Sequence, residues 1–146
     1  MPILVDTNIL LDVVKDDPAW ADWSFSRLSA AVHSDRVVVN AVIYAELSVA
    51  FDRVESLDAV LERMLAQIAE IPRAALFLAG RTFVKYRARG GHKSGVLPDF
   101  FIGAHAAVSG YELLTRDVGR YRTYFPRVEL IAPQREDVRC AAVAQW

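Results

Sequence analysis

The sequence predicts an α/β protein in which a parallel sheet is covered by helices on both faces. Three observations carry that expectation. Short apolar or β-branched runs alternate along the chain with longer stretches of helical periodicity, the pattern of repeated strand–helix units. The apolar runs are continuous, as suits strands buried on both faces. No internal repeat, linker or low-complexity segment interrupts the 146 residues, a length that fits one domain over 1–146 with a core of its own.

Residues 2–5 (PILV) form a short apolar run ending at Asp6 and read as a buried strand. Asp17-Pro18 supplies an N-cap followed by proline at a first helical position, and Ala21, Phe25, Leu28 and Val32 come after it at helical spacing. Residues 36–39 (RVVV) are short and β-branched and predict a second strand. Asn40 can cap the next helix, in which Ile43, Glu46, Leu47 and Ala50 share a face.

Leu57, Val60, Leu61, Met64, Leu65 and Ile68 give the cleanest amphipathic stripe in the chain. Pro72 breaks that pattern, and a further helix is expected to run to about Arg89, where Gly90-Gly91 ends it. The loop GGHKSGVL comes next, with the composition of a mobile segment. Pro98 restarts a helix through about Ser109, closed by Gly110. Residues 111–115 (YELLT) and 128–132 (VELIA) complete the expected strands.

Composition narrows the function classes. Apolar content of 53% and aromatic content of 10% argue for a packed globule. No apolar run reaches the roughly 18 to 20 residues that span a bilayer. The start MPILVDTN has no basic region and meets a carboxylate at position 6, so no signal peptide is expected and the setting reads as cytoplasmic. Cys140 is the sole cysteine and reads as a lone thiol. The net charge of −1 hides an asymmetry: residues 1–70 hold 12 acidic and 5 basic side chains, whereas residues 71–146 hold 6 and 12. Between Ile71 and Pro98 there are six basic residues and no acidic one. That segment suits an anionic ligand, and equally a solvated helix face.

In parallel sheets, ligands bind beyond the carboxyl ends of the strands. Asp6 stands at one such end and Asp117 just beyond another. Asp6 also interrupts an apolar stretch, ILV before it and ILL after Thr7 and Asn8, where a charge needs compensation. Glu46 takes a place on an apolar helix face, and Asp99 opens a helix between Leu97 and Phe100-Phe101-Ile102. Each has an ordinary reading alone, as a turn, cap or boundary residue. Together they form a set of oxygen donors suited to Mg²⁺ or Mn²⁺, hard cations that support phosphodiester chemistry.

The segments VDTNILLD, NAVIYAEL, LPDFFIGAHA and LLTRDVGRY, in that order, resemble the PIN domain, and more narrowly the VapC toxins of bacterial and archaeal toxin–antitoxin pairs. DTN near the start combined with TRD after a late strand carries most of the specificity. The resemblance implies a three-layer α/β/α sandwich with a central parallel sheet. It makes Asp6, Glu46, Asp99 and Asp117 the acidic metal site for Mg²⁺ or Mn²⁺, with Asn8 and Thr115 supporting it by hydrogen bonds. It further implies a metal-dependent endoribonuclease, a homodimer, and an antitoxin that covers the groove. Arg81, Lys85 and Arg89 stand at i, i+4 and i+8, and with Lys93 and Arg116 they are the candidate RNA contacts. The three histidines read as structural or surface residues. His105 lies six residues beyond Asp99, about 240° round the helix from it.

Three other readings compete. A PIN-like module could dock RNA or protein without cutting it, although no acidic position is lost. A phosphohydrolase with Asp6 as nucleophile commonly needs a second aspartate where this chain has Asn8. A metal–carboxylate site does not itself read the 2′-hydroxyl, which leaves DNA as an alternative substrate.

Overall fold

The structure is a computed structural model that describes residues 1–144. Five parallel strands form one sheet in the order β3-β2-β1-β4-β5. They are β1 (Ile3–Val5), β2 (Val37–Val39), β3 (Ala66–Ile68), β4 (Glu112–Leu114) and β5 (Leu130–Ile131). Eight α-helices among the described residues flank the sheet as an α/β/α sandwich: α1 (Thr7–Val14), α2 (Ala21–Ser34), α3 (Ala41–Ser48), α4 (Val54–Arg63), α5 (Arg73–Ala88), α6 (Leu97–Ser109), α7 (Gly119–Tyr124) and α8 (Arg135–Ala144).

The chain starts in the middle of the sheet. It builds outward to β2 and β3, then returns to place β4 on the other side of β1, with Leu4 opposite both Val38 and Leu113. This reversal leaves a crevice at the carboxyl ends of β1 and β4. All of β1 and β2 is buried, as are Leu113 and Leu114, which explains their apolar composition. The edge strand β3 is mostly exposed.

Several elements depart from the sequence reading. The stretch after Asp6 begins a helix at once, so two apolar runs stand only three residues apart and the second does not read as a helix of its own, α1. The stripe from Leu57 to Ile68 is two elements. Its helical part ends at Arg63, Leu65 takes φ +55°, and Ala66–Ile68 pair with β2 as a third strand. Leu65 and Ile68, expected on a buried face, are 66% and 58% exposed. Asp17 accepts hydrogen bonds from the backbone of Ala19 and Trp20 at 2.9 Å, so it caps a turn, and α2 begins only at Ala21. Its inward face is Ser24, Leu28 and Ala31, leaving Phe25 outside. The glycine-rich loop contains a 3-10 turn, Ser94–Val96, anchored by buried Val96. The six-residue α7 was too short for periodicity to reveal.

Packing of α7 matters for the site. Phe100 of α6 lies against Phe83, Tyr86, Tyr124 and Phe125 with ring centroids 5.2–6.3 Å apart, the spacing of edge-to-face aromatic pairs. Phe125, just after α7, sits directly on α6 because Gly103 has no side chain. A Cβ there would stand 2.4 Å from the Phe125 ring. Gly103→Ala is therefore expected to destabilise by about 1–3 kcal/mol. Gly80→Ala in α5, where a Cβ meets nothing within 4 Å, should stabilise by up to about 1 kcal/mol. Urea denaturation of both variants checks this, and equal midpoints would remove Gly103 as a packing constraint.

Candidate active site

The site is built outward from Asp6. Its backbone leaves β1 and caps α1 in an extended conformation, which turns the carboxylate under the first turn of the helix. Oδ1 accepts the Thr7 N–H at 2.7 Å. Oδ2 accepts the hydroxyls of Thr115 at 2.8 Å and Tyr121 at 3.0 Å. With 5% exposure the carboxylate has almost no water. Burial raises its pKa to about 6, against the lowering effect of the three hydrogen bonds, and the charge of Asp99 raises it further.

Glu46 comes from α3 and accepts the Thr7 hydroxyl at 2.8 Å. Thr7 therefore binds Asp6 through its backbone and Glu46 through its side chain. Partial burial holds the Glu46 pKa above its usual value, the Thr7 bond opposes this, and the Asp99 charge adds to it. Asp99 lies in the first turn of α6, where its carboxylate pairs with Arg120 of α7. Burial still keeps its pKa raised, although Arg120 pulls it down; nearby Asp117 adds to the rise. Asp117 is exposed in the turn after β4, and its N–H donates to Thr115 Oγ1 at 3.1 Å.

The two supporting residues both meet Asp6 at Oδ2. Thr115 is fully buried, accepts from Asp117 and donates to Asp6. Asn8 Nδ2 lies 3.5 Å from Asp6 and 3.4 Å from Thr115 Oγ1, while its Oδ1 accepts the Arg116 N–H at 3.2 Å. Asn8 thereby ties α1 to the turn that carries Asp117.

All four carboxylates thus gather round the β1–β4 crevice: the Asp99 charge acts on Asp6 and Glu46, the Asp117 charge acts on Asp99, and Asp6, Asp99 and Asp117 all act on Tyr121. Among the described residues, no three carboxylate, imidazole or thiol groups close into a set able to hold a metal ion as they stand. Asp6 is held by three donors, Glu46 by Thr7 and Asp99 by Arg120.

The basic candidates divide. Arg116 donates to Asp12 through Nε at 2.6 Å and Nη2 at 2.8 Å, and its guanidinium covers Trp20 at 4.9 Å. Asp12, buried and also bound by Ser24 at 2.7 Å, makes Arg116 a brace between α1 and the end of β4. That guanidinium is engaged within the protein. Arg81, Lys85, Arg89 and Lys93 are exposed. Arg89 stands over Tyr124 of α7 at 5.7 Å, so the end of the α5 stripe reaches the helix that carries Arg120 and Tyr121.

Arg120, Tyr121, Thr7 and Asp12 were not legible as site residues. The first two lie on α7, which periodicity does not reveal, and only their proximity to TRD in the sequence marks them. His105 is fully buried with Nδ1 accepting from Asn40 at 3.1 Å, and burial lowers its pKa. It supports the start of α3, which Asn40 caps through the Ile43 N–H at 3.0 Å. His33 and His92 are exposed.

The PIN-domain family matches residues 3–126 of the chain. The chain belongs to the PIN-domain family. Its fold is similar to those of several solved toxin–antitoxin assemblies. VapBC2 from Rickettsia felis, solved bound to a DNA fragment from its promoter, has 18% identity and a TM-score of 0.70, covering 92% of this chain and 100% of that one. VapBC-1 from nontypeable Haemophilus influenzae has 19% identity and a TM-score of 0.68, covering 90% and 98%. A toxin–antitoxin complex from Klebsiella pneumoniae has 22% identity and a TM-score of 0.60, covering 86% and 94%. No curated protein matches by sequence. At these identities the structural likeness speaks to the fold. The family is one of nucleases that generally use divalent metals.

In this PIN domain, the raised Asp6 pKa sets a direction for stability without metal. Asp6 binds a proton more tightly in the folded state than in the unfolded chain, so its contribution to stability is fully present below pH 3.8 and is lost as pH rises through about 6. Two pKa units correspond to about 3 kcal/mol. In EDTA, the wild type should lose stability relative to Asp6→Asn across that window, and the difference should level off above it. Urea midpoints at stepped pH check this. Parallel curves for the two proteins would show that burial does not penalise the Asp6 charge.

Proposed function

We propose that this PIN domain is a divalent-metal-dependent endoribonuclease, the toxin of a VapC-type toxin–antitoxin pair. The observation that carries the reading is the buried Asp6 carboxylate with Glu46, Asp99 and Asp117 around it at the sheet's switch point. The donors fit Mg²⁺ or Mn²⁺, because all are hard oxygens and burial raises the pKa of Asp6, Glu46 and Asp99. The Arg120 guanidinium at Asp99 also marks a place where the site accepts positive charge. Asp6, Glu46, Asp99 and Asp117 would hold the ion, which supplies positive charge against the phosphate and lowers the pKa of water.

The chain's own residues do the positioning. Thr115 and Tyr121 fix the Asp6 carboxylate, Thr7 aligns Glu46 with it, and Asn8 holds the Asp117 turn in register. Exposed Arg81, Lys85, Arg89 and Lys93 offer contacts for RNA phosphates; Arg116 instead serves as the brace to Asp12. An antitoxin segment laid across the acidic crevice would silence it, an arginine being the fitting counterpart for carboxylates. A second copy of the chain suits the exposed apolar surface of α5, where Phe77 is 72% and Val84 52% exposed. No helix of the described residues is long and apolar enough to cross a membrane, and we place the protein's action in the cytoplasm. A non-catalytic PIN-like module is the second reading, favoured by the Arg120–Asp99 pair, which already neutralises one acidic position.

Asp6→Asn and Asp99→Asn should each reduce Mn²⁺-dependent RNA cleavage by more than about 100-fold, beyond the loss typical of supporting residues, with the fold retained by circular dichroism. Undiminished cleavage by the purified double variant would reject the carboxylate site, and absence of cleavage by the purified wild type would favour the binding module. The toxin role has its own test. Induced expression should slow growth, co-expression of the neighbouring upstream reading frame should restore it, and Asp6→Asn should be harmless. Equal toxicity of wild type and Asp6→Asn rejects the toxin assignment.

A further inference from the structure

Resting on the proposed nuclease function, we infer that Arg120 is a two-position side chain: it holds Asp99 when no cation is bound there, and turns to the phosphate of a bound strand when a cation takes Asp99. The pair with Asp99 is the one ion pair Arg120 makes among the described residues, and both side chains are about a quarter exposed. The guanidinium therefore stands at the mouth of the site, with a route to solvent and to ligand. Among the described residues it is the only cation that pairs with any of the four acidic residues.

The backbone beneath Arg120 cannot follow it. Tyr121, the next residue, is 1% exposed and bonded to Asp6. Tyr124 lies against Phe100 and Tyr86, and Phe125 against Gly103. With α7 fixed on three sides, only the long side chain moves, and its reach keeps it at the crevice in either position. A cation and a guanidinium compete for the same carboxylate, so binding of one releases the other. The released fork has the geometry for two hydrogen bonds to a phosphate. A continuation for the strand lies nearby. Tyr124 is four residues on, hence on the same face of α7, and carries Arg89 over its ring. Arg120 and Arg89 thus define one basic track from the acidic site to the α5 stripe.

This arrangement predicts opposite effects of one substitution. A side chain that occupies Asp99 nine-tenths of the time weakens apparent metal affinity about tenfold. Arg120→Ala should therefore bind Mn²⁺ alone about tenfold more tightly than wild type by calorimetry. The same variant should bind a labelled single-stranded oligoribonucleotide about tenfold more weakly in Ca²⁺, with a salt slope shallower by about 0.7. In EDTA, where Arg120 remains on Asp99, its RNA affinity should match wild type. Arg120→Lys, which keeps the charge without the fork, should fall between the two in both measurements, and it carries the comparison should the alanine variant fold poorly. Unchanged Mn²⁺ affinity overturns the competition, and unchanged RNA affinity in Ca²⁺ overturns the phosphate contact. Wild type that takes up no Mn²⁺ overturns the nuclease reading together with this one. Wild type that binds Mn²⁺ and cuts RNA while Arg120→Ala equals it in every measurement overturns the role of Arg120 alone.

Discussion

Asp6 gives up nearly all its water while keeping a carboxylate, and the surrounding structure is arranged to make that tolerable. Isolated, an anion at the end of a central buried strand would be strongly unfavourable. Here a backbone N–H and two hydroxyls converge on it, drawn from α1, the end of β4 and α7. Each donor commits its own element. Thr115 fixes where β4 stops, Tyr121 fixes how α7 lies, and Thr7 passes the constraint to Glu46 on α3. The hydrogen bonds do not fully offset burial, so the pKa remains raised and the site retains an affinity for positive charge.

The same requirement explains why two arginines near the site behave differently. Arg116 meets buried Asp12 with two hydrogen bonds and lies over Trp20, a geometry that favours a fixed brace. Arg120 meets a carboxylate that belongs to the acidic crevice itself and is partly open to solvent. One pair holds α1 to the sheet; the other lies where a ligand would compete for it. Arginines four residues apart in sequence thus sit in different environments, one on a buried carboxylate and the other on one partly open to solvent.

Topology supplies the remaining ingredient. Because β1 is central and β4 adds to its free side, the turn after β4 comes to rest beside the start of α1. Carboxylates distant in sequence, Asp6 and Asp117, therefore share a crevice. The aromatic contacts around Phe100 and the missing side chain at Gly103 then press α7 against α6, bringing Arg120 to Asp99.

Much of this was legible from residue order. Continuous apolar strands, the Asn40 cap, Pro72, Pro98 and Gly110 marked elements by local chemistry, and the structure agrees at each. The acidic residues Asp6 and Glu46 stood out because they replaced apolar residues where apolar ones were expected. Other features depended on contacts that no local pattern encodes. Leu65 and Ile68 continue a helical stripe in sequence, yet the turn at Leu65 and pairing with Val37–Val39 make a strand of Ala66–Ile68. The six-residue α7 takes its form from packing on Phe100 and Gly103. Arg116, Asp12, Arg120 and Tyr121 acquired their roles only from partners 21 to 115 residues away. The sequence by itself determined the α/β class and singled out Asp6 and Glu46, because periodicity and a charge in an apolar run are local signals. Only the tertiary structure decided which cation meets which carboxylate, because that depends on where distant elements are brought to rest.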